Sequence, residues 1–138
     1  MNRKRILLGL VFVAIVAAYF GYYLYNKPMD KLSDLKSMYK LSAKELYLEF
    51  DSNEELATKK YQEKVVEVSG KIDTTSTNAT GGLTIILSTE GEMGSISCEM
   101  DVNSKTFKTS FTRGEQITLK GMCAGKLIDV VLNRCVIK

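Results

Sequence analysis

Val65–Ile72 reads VVEVSGKI, and the period of that stretch decides the fold. Val66, Val68, Gly70 and Ile72 alternate with Val65, Glu67, Ser69 and Lys71, a period of two that gives an extended strand one apolar and one wet face. The rhythm returns at Leu83, Ile85 and Leu87, at Ile96, Cys98, Met100 and Val102, and at Ile117, Leu119, Gly121 and Cys123. Leu127 to Ile137 supplies a fifth strand, where Val130, Val131 and Leu132 run without a polar break, so that a bulge would shift the buried face. Thr74 to Gly82 and Glu90 to Gly94 are rich in turn formers and connect the first three strands. Between the third and fourth, Asn103 to Arg113 breaks the alternation, and Phe107 and Phe111 at i and i+4 predict one or two helical turns ending at Gly114.

Ahead of the first strand the period is helical. Ser42-Ala43-Lys44-Glu45 is a capping box, in which the Ser hydroxyl accepts from the Glu45 backbone and the Glu45 carboxylate reaches back. A helix therefore starts at Ala43, with Leu46, Tyr47 and Phe50 on its apolar side. Asp51-Ser52-Asn53 interrupts it, and a second cap opens a helix at Glu54 that runs to Tyr61 to Lys64. The sum is a mainly β fold: a five-stranded Greek-key barrel of the oligonucleotide/oligosaccharide-binding (OB) type, preceded by short helices. Closing the barrel removes the edges that short strands would otherwise expose.

The N-terminal segment has no strand or surface-helix pattern. Ile6 to Tyr25 (ILLGLVFVAIVAAYFGYYLY) carries no charge, and at ~1.5 Å per residue it spans roughly 30 Å, the thickness of bilayer hydrocarbon. Arg3, Lys4 and Arg5 precede it, and Tyr19, Phe20, Tyr22, Tyr23 and Tyr25 crowd its far end. This predicts a single-pass signal anchor with the basic tip in the cytoplasm and the rings at the outer headgroups. A cleaved signal peptide is the alternative, because Val16, Ala17 and Ala18 offer small residues at the depth of a peptidase site. The organisation expected is a basic tip and transmembrane helix over 1–25, a polar stalk over 26–41 with Pro28, and a helix-plus-barrel domain over 42–138.

Charge and composition narrow the function. The net charge of +3 comes from Arg3, Lys4 and Arg5 alone, so the rest of the chain is electroneutral and lacks the field of a nucleic-acid binder. From Lys64 onward the only aromatic residues are Phe107 and Phe111, expected to plug the barrel, so bases have no ring on a strand to stack on. Histidine is absent, which excludes His-based triads, proton shuttles and His-containing zinc sites. Glu99 with Asp101, and Glu54 with Glu55, read as solvated carboxylates, and Ser95, Ser97 and Thr74 to Thr80 have no base beside them.

An exported domain meets an oxidising compartment, so Cys98, Cys123 and Cys135 are candidates for pairing. Cys123 with Cys135 is a candidate disulfide. A tight turn at Ala124 to Lys126 would leave Cys135 about seven positions past the partner of Cys123, ~23 Å away, whereas a wide loop near Asp129 would bring the two opposite. Cys98 and Cys135 would meet if the third and fifth strands were neighbours. Otherwise the three are small buried apolar residues.

The chain resembles the tRNA-anticodon-like OB-fold family of bacterial lipoproteins and membrane proteins. The resemblance lies in Asn53-Glu54-Glu55-Leu56-Ala57 with Tyr61 before Val65-Val66-Glu67-Val68-Ser69-Gly70, in Ser97-Cys98, in Gly114 to Gly125 (GEQITLKGMCAG), and in Asp129-Val130-Val131-Leu132-Asn133-Arg134-Cys135. It implies an exported OB barrel behind a helix, and brings no reaction or binding residues with it. Many relatives carry a lipidated cysteine at the end of the signal peptide. Here the first cysteine is Cys98, so the membrane helix is expected to hold the chain instead. The function expected is a non-enzymatic binding or interaction module without cofactor at the outer face of the cytoplasmic membrane, with a protein, peptide or saccharide partner. An envelope oligonucleotide binder and an enzyme of unrecognised type are the alternatives.

Overall fold

A computed structural model describes residues 3–26, 31–91 and 93–138, with side chains from Arg5 onward. The chain divides into two units, Met1–Asp30 and Lys31–Lys138. The first holds α1 (Arg3–Tyr25), whose stretch Arg5–Tyr25 has a mean hydropathy of 2.2 and is long and apolar enough to cross a membrane. Its apolar side chains are exposed all round, the pattern of a helix whose solvent is lipid or of a signal sequence. Asn2, Pro28 and the side chains of Arg3 and Lys4 lie outside the described residues.

The second unit contains β1 (Tyr39–Ser42), α2 (Ala43–Ser52), α3 (Glu54–Tyr61), β2 (Val65–Thr77), β3 (Leu83–Ser88), β4 (Ser95–Met100), β5 (Gln116–Lys126) and β6 (Val130–Ile137). Strands β2 to β6 run in the order β2-β3-β4-β6-β5, and a further β2–β5 pairing closes the ring. All barrel pairs are antiparallel except β4–β6, which is parallel. The barrel is therefore the five-stranded, mixed and mainly β one that the alternation predicts. One residue set from each strand fills it, among them Val66, Val68, Ile85, Leu87, Ile96, Leu119 and Leu132, all without solvent contact.

The helices begin where the caps place them. The Ser42 hydroxyl accepts from the Glu45 backbone at 3.1 Å and the Glu45 carboxylate accepts from the Ser42 backbone at 2.7 Å, while Asn53 Oδ1 accepts from the Leu56 backbone at 3.0 Å. The α2 helix lays Ala43, Leu46, Tyr47 and Phe50 across β2, β3, β4 and β6. Tyr47 packs so closely on Gly94 that a Cβ there would stand 2.2 Å from its ring, so the residue before β4 has no room for a side chain.

Three expectations are corrected. The segment read as a polar stalk is folded onto the barrel from Lys31: Leu32 is fully buried, and Tyr39–Ser42 pairs in parallel with Val66–Ser69. Single-strand periodicity could not show this, because the docking is made by partners far along the chain. Lys120 Nζ donates to the carbonyls of Ser33 and Leu35, both at 2.8 Å, and Ser37 Oγ donates to Glu67 Oε2 at 3.2 Å. Glu67, expected on a wet face, is buried under that cover and satisfied by Lys138 at 2.8 Å and Ser37.

The second correction is the helix expected between the third and fourth strands, which is a run of turns. Asp101 Oδ1 accepts from the Asn103 backbone at 3.0 Å and the Ser104 hydroxyl accepts from the Thr106 backbone at 3.2 Å, local bonds that compete with helix formation. Phe107 and Phe111 are nevertheless half-buried against the core. Third, β2 continues to Thr77 where a loop from Thr74 was expected, because its β-branched threonines pair with β3 beyond a bulge between Ile72 and Thr74.

Candidate functional site

Two concave surfaces are candidates. The first is a groove of about 420 Å³ between α2 and α3, lined by Leu48, Glu49, Ser52, Asn53, Leu56, Ala57 and Lys60. Leu48 and Leu56 are 37% and 62% exposed there, on helices whose other apolar side chains, Leu46, Phe50, Ala57 and Tyr61, are buried. The break at Ser52–Asn53 makes the groove, since it lets α3 turn away and present Leu56 beside Leu48.

One wall of the groove is fixed electrostatically. Glu49 Oε2 accepts from Lys60 Nζ and from the Tyr61 hydroxyl, each at 2.8 Å. The Lys60 hydrogen bond holds the Glu49 carboxyl below its ordinary value, and Glu49 in turn pushes the Lys60 ammonium up. Burial is the main reason the Tyr61 phenol is raised. Lys60 also lies 4.8 Å over the Tyr61 ring, and Tyr61 meets Tyr39 edge-on at 4.9 Å and Phe50 at 6.0 Å. The groove thus has an apolar floor and a charged rim.

The second surface is a polar trough of about 430 Å³ bounded by Ile72, Asp73, Thr74, Thr75, Phe111 and Arg113. Arg113 Nη2 donates to Asp73 Oδ1 at 2.8 Å, so both charges are spent on each other, and no further titratable group lines the trough. The outer face of the β3–β4 pair offers Thr84, Ile86, Ser88, Ser95, Ser97 and Glu99, small side chains without a ring. Among the described residues, no group of three or more Cys, Asp or Glu is placed to hold a metal.

Cys98, Cys123 and Cys135 are all buried thiols. The loop joining β5 to β6 is Leu127–Asp129, and a bulge on β5 between Cys123 and Gly125 sets Cys123 opposite Leu132, three residues short of Cys135. Cys135 Sγ donates to the Leu132 carbonyl of its own strand at 3.5 Å, and Cys98 on β4 is the titratable neighbour that most perturbs its thiol. Sequence reasoning placed these two together only on condition that the third and fifth strands were neighbours, and the parallel β4–β6 pair meets it.

A search of curated proteins found no match. The family described as tRNA_anti-like matches residues 1–137, nearly the whole chain, as the motifs on α3, β2, β5 and β6 imply. With the closed mixed barrel behind its two capped helices, this means that the chain belongs to the tRNA_anti-like family.

Proposed function

We propose that the chain is a membrane-tethered, non-catalytic binding module that takes an apolar segment of a partner protein in the α2–α3 groove. The observation that carries it is the pair Leu48 and Leu56, exposed side by side in a groove rimmed by Glu49 and Lys60. A cleft with an apolar floor and a few placed charges suits a side chain with polar flanks. The polynucleotide alternative has no such support, because strand faces without rings and an electroneutral domain supply neither stacking nor a positive track.

Placement follows the same reasoning. Arg3, Lys4 and Arg5 at the near end of the apolar helix, and the tyrosines at its far end, favour a cytoplasmic tip and an exported domain on the cytoplasmic membrane. A reporter fused after Lys138 is then active only outside the cytoplasm.

Site-specific photocrosslinking in native membranes tests the binding surface. A crosslinker at Leu56 captures a discrete protein, the same group at Thr84 does not, and Leu48→Asp abolishes the Leu56 product. Equal capture from both positions, or an unchanged product with Leu48→Asp, overturns the groove. Retention on single-stranded DNA at low salt that falls steeply with added salt would favour the polynucleotide reading instead.

A further inference from the structure

We propose that Cys98 and Cys135 are a disulfide site, bridging β4 to β6, and that Cys123 stays a thiol. The backbone builds this contact. Along β6, Val130 and Leu132 face the barrel interior, so simple alternation would send Arg134 inward and Cys135 out. Arg134 instead adopts a left-handed conformation, φ 56°, which resets the phase and turns Cys135 inward. The ladder records the same step: Cys98 lies opposite Leu132 and Met100 opposite Cys135, with a register shift between. Cys98 and Cys135 are thereby diagonal neighbours with both side chains in the core, where Cys135 Sγ donates to the carbonyl of Leu132, the residue opposite Cys98.

Space for the second sulfur is provided by β5. A Cβ at Gly121 would stand 2.5 Å from Cys135 Sγ, so the glycine leaves the volume that the sulfur fills. Cys123 also faces the core, but the hairpin sets it opposite Leu132. Thiol chemistry then orders events. The neighbouring Cys98 and burial both raise the Cys135 thiol well above its usual range, and burial raises Cys123. Thiolate is the attacking species, so the closed barrel holds these groups inert and the bridge forms while β6 is still open.

The oxidant is a disulfide-bearing partner. One cysteine thiolate attacks it, a mixed disulfide forms and the partner's own S–S bond breaks; the other thiolate then displaces the partner sulfur. Cys98 and Cys135 lose two hydrogens as the S–S bond forms, and the partner leaves as a dithiol with those two electrons and protons. The site depends on the β4–β6 geometry and is independent of the groove and of where the domain resides.

The test is refolding of the full chain in detergent. Protein unfolded in denaturant with reductant is refolded with oxidised glutathione as the disulfide donor, then unfolded again and alkylated with a maleimide. The expected product carries one maleimide, on Cys123, has lost two hydrogens elsewhere, and yields a Cys98–Cys135 linked peptide. Cys123→Ser retains the linked peptide and has no alkylatable thiol left. Three maleimides, glutathione adducts without an internal bridge, or a linked peptide containing Cys123 overturns the proposal.

Discussion

Leu32→Ala measures whether the barrel begins where the structure places its first buried side chain. Leu32 has no solvent exposure, yet it lies in a stretch whose sequence has no strand pattern. Truncation removes Cγ and both Cδ atoms, ~0.8 kcal/mol each in lost transfer energy, or roughly 2.4 kcal/mol. The unfilled cavity brings the cost to about 3 kcal/mol, inside the ~2–5 kcal/mol span of buried leucine truncations. A unit of about 108 residues, Lys31–Lys138, unfolds with ~2.1 cal/mol/K per residue, so the melting temperature falls by roughly 13 °C. Full-length protein in detergent, melted with near-UV circular dichroism, gives the readout, because Tyr47 and Tyr61 lose their fixed packing only when the barrel unfolds. Leu127→Ala, at a hairpin tip where the side chain is 87% exposed, is the control and shifts Tm by no more than a degree or two. A Leu32→Ala shift as small as that of the control would refute the docking of residues 31–38 and return them to a linker.

Four further outcomes follow from the same packing. Ser42→Ala removes the capping box and costs about 1 kcal/mol, a Tm drop of roughly 4 °C; an unchanged melt would mean that packing alone holds α2. Gly94→Ala sets a methyl against the Tyr47 ring and costs ~1–3 kcal/mol by overpacking, checked by denaturant titration at constant m. Closing the Cys98–Cys135 bridge, a loop of about 38 residues, stabilises the barrel by about 4 kcal/mol over the reduced form, read as a Tm difference of roughly 17 °C between oxidised and reduced samples. For Glu67, the Lys138 hydrogen bond holds the folded-state carboxyl below its ordinary value. Its stabilisation is therefore present above the unfolded carboxyl pKa and is lost as pH falls through the folded one. In urea titrations against pH, wild type weakens below about pH 4.3 and Glu67→Gln loses that component of the slope.

Whatever depends on local period and local hydrogen bonding is legible in the order of residues alone. Strict alternation at Val66 to Ile72, Ile96 to Met100 and Ile117 to Cys123 makes a strand with one buried face in any barrel, and Ser42 with Glu45 and Asn53 start helices within three residues of themselves. The apolar helix before Tyr25 is equally local, a matter of length and missing charge. Whatever depends on chain-distant partners emerges only in the folded molecule. The segment around the buried Leu32 is held by Lys120, which donates to the Ser33 and Leu35 carbonyls, and by Glu67, which accepts from Ser37, and the Leu48–Leu56 groove exists because α3 turns away at Asn53. The cysteine contacts follow the same rule: one left-handed residue, Arg134, and a glycine on the neighbouring strand choose which sulfurs meet, and neither leaves a mark in hydrophobic period. Alternation assigns a side chain to a face, but its neighbour on that face is set by register, and bulges shift register without changing composition.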